Sequence, residues 1–308
     1  MARNILSRGV GKSRSGVSTL QRQKLLFVFI GLTPILVIYG VTRIWPIIRT
    51  FYLSLFDSDL VTPEKQFIGI DNYTALLDDD SFKQAFLNTT LFAVGTVVAS
   101  VILGLALSLI LTQFIPRSGL YQLIYFLPFV MPIVPVAIVW RWIYDPSYGL
   151  LNWFLSWFGI AKQAFLFYPE TGLWAIVVMN VWKVVGYNMV ILIVGIRNIP
   201  TLYNEAAEID GAGRFGVLRY ITIPLLKPVI LFVLVVTTIG AYNVFTSVYV
   251  MTQSTTASGN SIKILVGEIY DNGFRYSKMG YASSEAVILF VVVLALTLLQ
   301  FRFVRSDT

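Results

Sequence analysis

The chain has no cysteine and no histidine among its 308 residues. Their absence excludes disulfide frameworks, thiol nucleophiles, Cys/His metal sites and every catalytic arrangement that turns on an imidazole. Charge is scarce as well: 13% of residues are Asp, Glu, Lys or Arg, against roughly 25% in an ordinary globular domain. Acidic residues are missing from the first 24 positions. Within the long apolar runs the only carboxylate is Glu285, close to the start of the last one. Paired mid-run carboxylates, which an intramembrane enzyme or an ion-coupled carrier would use, are therefore lacking.

What remains is largely apolar, with 56% hydrophobic residues. Runs near span length recur at about 25–45, 86–111, 120–142, 173–196, 229–251 and 284–301. Each can cross a hydrocarbon layer about 30 Å thick at about 1.5 Å per residue. The reading is an all-α integral membrane protein with six transmembrane helices. It divides into a basic tail (1–24), a membrane domain (25–303) and a short C-terminal tail (304–308). The net charge of +7 does not indicate nucleic acid, because the basic residues flank the spans instead of gathering on one solvated surface.

Cytoplasmic flanks carry the Lys/Arg excess. The first tail holds Arg3, Arg8, Lys12, Arg14, Arg22 and Lys24, and the last holds Arg302 and Arg305. Both termini are therefore expected in the cytoplasm. The stretch after the first span is acidic (Asp57, Asp59, Glu64, Asp71, Asp78, Asp79, Asp80), which suits the outer side. The tail reads as a positive flank and not a cleaved signal, so the first span is expected to be retained. Its "GVGKS" (9–13) ends like a phosphate-binding loop, but Leu6 stands where the pattern needs glycine and no strand precedes it, so no ATPase site is assigned. Trp45, Trp140, Trp142, Trp153 and Trp157 lie near outer span ends, as headgroup anchors do. Thr33-Pro34 and the Pro128, Pro132, Pro135 cluster read as bends in the first and third spans.

One cytoplasmic segment is charged and amphipathic: "NEAAEIDGAGRFGVLRYITIPLLKP", residues 204–228. It reads as two short helices joined by a turn. Pro200-Thr201 starts the first, with Thr201 as N-cap and Glu205 and Glu208 near the favourable end of the helix dipole. Leu202, Ala206 and Ile209 share a face, and Gly211 stops the helix in a left-handed conformation. The second is expected from about Arg214 to Tyr220, with Pro224 ending it.

The spacing Glu205-Ala206-Ala207, then Gly211, then Ile221, Ile223 and Pro224 resembles the EAA loop of permease subunits in binding-protein-dependent ABC importers, with Ile223 in place of the usual leucine. The resemblance extends over nearly the whole chain, most closely to permeases for sugars and glycerol-phosphate-like solutes. It is carried by "YLSLFD" (52–57), "FIGIDNY" (67–73), "LLNW" (150–153) after Gly149, and "MGYASSEAVILFVVVLALTLLQFRF" (279–303). After the fifth span the family's Gly-Gly-Pro turn is replaced by "TQSTTASGNS" (252–261).

That resemblance implies a type I ABC importer permease fold and a non-catalytic role, in a prokaryotic cytoplasmic membrane. Glu205, Ala206, Ala207, Asp210, Gly211, Ala212 and Pro224 would form a coupling element seated in a cytoplasmic ATPase: Glu205 pairs with a basic group, the alanines allow close approach, and Gly211 makes the turn. It also implies two ATPase subunits, a second homologous permease and an extracytoplasmic solute-binding protein. ATP and magnesium would be bound by the ATPases, leaving no cofactor in this chain.

Polar residues inside spans tend to face protein or a water-filled path. Asn180, Lys183, Tyr187 and Asn188 in the fourth span, and Tyr242, Asn243 and Ser247 in the fifth, are the candidates for a solute path, alongside Thr237 and Thr238. Asn amides and Tyr hydroxyls suit hydroxyl-rich solutes, and interhelical hydrogen bonding is the competing role for each residue. A secondary transporter or channel independent of ATP is the alternative function.

Overall fold

The computed structural model describes residues 19–59, 65–115, 118–252 and 262–305. The "GVGKS" stretch, most of the basic tail and residues 253–261 lie outside them. By its internal contacts the chain divides into a unit ending at Thr50 and one running from Phe51.

In the first unit, α1 (Thr19–Tyr39) continues through a π-helical turn at Gly40–Ile44 into α2 (Trp45–Leu53). The bend expected at Thr33-Pro34 falls inside a continuous helix. The helix runs through Pro34, and the Thr33 hydroxyl donates to the Phe29 carbonyl at 2.5 Å. Its apolar side chains, Phe27, Ile35 and Ile38 among them, are exposed.

The second unit opens with a small antiparallel pair, β1 (Phe56–Asp57) and β2 (Gln66–Phe67), in the register Phe56↔Phe67. Then come α3 (Asp71–Asp78) and the long α4 (Asp80–Gln113). Asp79 caps α4, its Oδ1 accepting from the Ser81 and Phe82 amides at 2.8 and 3.3 Å. The third span is two helices, α5 (Gly119–Val130) and α6 (Ile133–Ile143), meeting at 96°. Met131 is extended, as the residue before a proline should be, and Pro132 follows in the same conformation. After α7 (Leu150–Ser156), α8 (Pro169–Arg197) starts on a proline and runs unbroken.

The amphipathic segment forms α9 (Thr201–Ile209) and α10 (Arg214–Val217). A π-helical turn at Leu218–Thr222 then leads into α11 (Ile223–Tyr242). Two expectations are corrected here. Pro224 does not end the second short helix, which continues into the span. The Ile223 amide bonds back to Leu218 across the wide turn, and Pro224, which has no amide to give, follows directly on it in the first turn of α11. Nor is the fifth span continuous to residue 251: it stops at Tyr242 and resumes as α12 (Thr246–Thr252). Asn243 caps the stop: its side-chain and backbone amides both donate to the Ile239 carbonyl, at 2.7 and 3.2 Å. The chain closes with α13 (Leu265–Tyr270), a π-helical turn at Asp271–Arg275, and α14 (Met279–Arg305).

Among the described residues five helices are long and apolar enough to cross a membrane, six spans when the bent pair α5 and α6 counts as one. Within the second unit α8 packs along α4, α5 and α11, and α11 also along α14. Phe92 and Val97 of α4, Ile176, Met179 and Leu192 of α8, and Leu226 and Val233 of α11 form the apolar core. Gly186 lets α5 and α8 meet backbone to backbone: a Cβ there would stand 1.8 Å from the Tyr125 carbonyl oxygen. Glu285 is buried near the start of α14 and accepts from Asn272 Nδ2 at 3.0 Å.

Candidate functional site

Two regions gather the residues singled out by sequence, and the first is a cavity of about 260 Å³ in the middle of the second unit. Helix α8 supplies Asn180, Val184, Tyr187 and Asn188, α11 supplies Thr237 and Gly240, α4 supplies Thr96, and α5 supplies Phe129. Helical spacing brings 180, 184 and 187 to one face of α8. The rings of Phe129 and Tyr187 stack 4.6 Å apart and 21° from parallel. The Thr96 hydroxyl is buried and has no hydrogen-bond partner among the described residues.

Asn188 sits at the back of this cavity, fully buried. Its Nδ2 donates to Ser100 Oγ at 3.1 Å, and its Oδ1 accepts from Thr237 Oγ1 at 3.2 Å. One side chain thereby ties α4, α8 and α11. These hydrogen bonds are the interhelical role weighed for Asn188.

The other candidates are placed elsewhere. Lys183 does not line the cavity. Its ammonium donates to the carbonyls of Pro128, Phe129 and Met131 at 3.1, 3.1 and 2.7 Å, using its three N–H groups on the break between α5 and α6. Tyr242 is buried, with its hydroxyl 3.5 Å from Thr90 Oγ1. Ser247 is buried on α12. Asn243 faces a different groove, of about 520 Å³, against Leu289, Phe290 and Val293 of α14. Thr96 and Phe129 escaped the sequence reading. Thr96 carries the signal of a mid-span hydroxyl, whereas Phe129 carries none, because only the break turns it toward α8.

The second region is the turn after α9. Gly211 has φ +75°, the left-handed conformation expected of it. The Ala212 amide donates to the Ala207 carbonyl at 2.8 Å and the Asp210 amide to Ala206 at 3.0 Å, which satisfies carbonyls the helix end would otherwise orphan. Thr201 is the first helical residue and not the one before it. Glu205, Ala206 and Asp210 are exposed, but Ala207 is buried within this chain, so its small size serves internal packing. Leu202, Ile209 and Phe215 stand 70%, 86% and 74% exposed. Arg214 lies 5.7 Å over the Phe114 ring at the end of α4, joining this turn to the spans.

At the opposite ends of the spans the quoted motifs fold onto one another. Asn72 Nδ2 donates to the carbonyls of Ser54 and Phe56 at 2.9 and 3.1 Å, Tyr73 donates to Ser54 Oγ at 2.7 Å, and the Gly280 amide reaches the Ser58 carbonyl at 3.1 Å. Tyr281 donates to Asp79 Oδ2 at 2.6 Å. Burial pushes the Asp79 carboxyl up, but the Tyr281 hydroxyl, the Ser81 and Phe82 amides and the Lys263 charge outweigh it and hold the group below the usual carboxylate range.

The family described as binding-protein-dependent transport system inner membrane component matches residues 100–306. The chain belongs to this family. It is an ABC importer permease subunit, a multi-pass membrane protein. The permease is 35% identical over 265 residues to the probable ABC transporter permease protein YurN of Bacillus subtilis, covering 85% of this chain and 90% of that one. It is 33% identical over 286 residues to the trehalose/maltose transport system permease protein MalF of Thermococcus litoralis, covering 92% and 96%. A crystal structure of a bacterial ABC transporter that imports the acidic polysaccharide alginate contains a chain that superimposes with a TM-score of 0.80 at 25% identity, over 94% of this permease and 98% of that chain.

Proposed function

We propose that this permease forms one half of the translocation path for a carbohydrate or related polar solute and is driven by cytoplasmic ATPases through the turn at 200–228. A second, homologous permease supplies the other half, and ATP and magnesium belong to two ATPase subunits. Both termini face the cytoplasm, in keeping with their Lys/Arg excess, and the alternation of six spans puts the 200–228 turn, with Arg214, Arg219 and Lys227, on the same side.

The observation that carries the solute class is the lining of the central cavity. Asn180 offers donors and acceptors together, the hydroxyls of Thr96, Thr237 and Tyr187 add more, and the Phe129–Tyr187 pair presents a flat aromatic surface. A hydroxyl-rich ring with apolar faces fits such a lining. The names of relatives that transport trehalose, maltose and arabinooligosaccharides point the same way. For coupling, the exposed Glu205, Ala206, Leu202 and Ile209 offer a small-residue face with an apolar and acidic rim, suited to a groove on a partner.

The test is reconstitution in vesicles with ATPase subunits, the second permease and a solute-binding protein. Uptake should require ATP and the binding protein, and Tyr187→Ala or Asn180→Ala should reduce solute-stimulated ATP hydrolysis while leaving the basal rate intact. Uptake by the lone chain without ATP would overturn the proposal in favour of a secondary transporter.

A further inference from the structure

The break between α5 and α6 creates a problem that the sequence around it cannot solve. In a continuous helix the Pro128 carbonyl would accept from the amide of residue 132, and the Met131 carbonyl from that of residue 135. Both positions are proline and have no N–H to give. The 96° turn also removes the Ile133 amide from reach of the Phe129 carbonyl along a helical path. Three carbonyls are thus left without backbone donors inside a membrane-spanning segment, where no bulk water can replace them.

Lys183 supplies donors to those same three carbonyls, at 3.1, 3.1 and 2.7 Å. It sits on α8 one turn from Gly186, the point at which α8 and α5 touch backbone to backbone. The ammonium has three N–H groups and spends them on this break, leaving none to present to a solute. The charge is also well placed electrically, since α5 ends at Val130 and the C-terminal end of a helix favours a cation.

We propose that Lys183 is a positioning residue: it replaces the amides that Pro132 and Pro135 remove and so fixes the break in the third span, which holds Phe129 against Tyr187 as one wall of the central cavity. The cavity wall is then set by a side chain that never enters it. This assignment differs from the solute-contact role expected of Lys183 from sequence. Its consequence for transport rests on the reading of the cavity as the solute path, whereas the local geometry does not.

The experiment uses the full chain in lipid nanodiscs, and the absence of native cysteine makes introduced ones unique. Spin labels on Tyr121→Cys of α5 and Val139→Cys of α6, both exposed, report the angle of the break as a distance distribution. With Lys183 or with Lys183→Arg the distribution should be narrow and the same. Lys183→Met should broaden and shift it, and Lys183→Gln, with two donors, should fall between and secures the test if the methionine variant fails to fold. A Lys183→Met distribution indistinguishable from native overturns the proposal.

A second readout separates local repositioning from general loosening. Cysteine at Val184, on the cavity wall, should react with a charged methanethiosulfonate at a rate altered severalfold by Lys183→Met, while cysteine at Asn243, in the separate groove, should not respond. Equal changes at both sites would overturn the assignment. Were Val184→Cys unreachable even with Lys183 present, the solute-path reading would fail, and the spin-label distances would still decide the role of Lys183.

Discussion

Asn188 shows what a mid-span amide does when three helices converge on it. Its amide and carbonyl groups engage Ser100 and Thr237, so removing it leaves two buried hydroxyls without that partner. Asn188→Ala should destabilise the folded chain by about 1–3 kcal/mol, read as a lower midpoint in detergent or denaturant unfolding. Asp79 makes a pH-dependent contribution. Its carboxyl is held below the ordinary value, so its stabilisation is fully present above about pH 4 and is lost as pH falls through the lower folded-state value. Melting curves of the native chain and Asp79→Asn should therefore differ near neutrality and converge in acid. At this scale the sequence announces polarity but not direction. Lys183 and Tyr187 share a helical face, yet the long lysine side chain reaches the break while the tyrosine lines the cavity. Asn243 turns its amide back to the Ile239 carbonyl of its own helix, a direction that residue type alone does not reveal.

At the scale of elements, the apolar runs locate the spans because length and hydropathy are one-dimensional properties. What they leave open is where backbone donors go missing. The third span was legible as bent from its prolines, and its 96° angle depends on α8, where Gly186 admits the α5 backbone and Lys183 covers its carbonyls. The run from α10 into α11 passes Pro224 because a π-helical turn absorbs the missing amide, a choice invisible in residue spacing. The β1–β2 pair was hidden for a different reason. It is two residues per strand, held by Asn72 and its neighbours and not by alternation. Gly186→Ala should cost about 1–3 kcal/mol, because both crowded groups are backbone. The expected signature is a lower yield of folded chain, with loosening between α5 and α8 and not between α11 and α14.

For the whole molecule, two regions share the helices α8 and α11. One is a cavity lined by α4, α5, α8 and α11, and the other is the turn between α8 and α11, whose Leu202, Ile209 and Phe215 stand exposed among the described residues. Since α8 leads into that turn, α11 leads out of it and both wall the cavity, the proposed coupling predicts that a push on α9 and α10 would reach the helices that line it. Gly211→Val should strain the left-handed turn and abolish ATP-coupled uptake while membrane insertion persists, as measured by transport alongside membrane abundance. The most direct test of the coupling claim is a single cysteine at Glu205 in this cysteine-free chain. It should crosslink to an ATPase subunit in a nucleotide-dependent manner and stay inaccessible to impermeant thiol reagents added outside intact cells. Labelling of that cysteine from outside, or assembled transporter in which it crosslinks to no ATPase, would contradict the account.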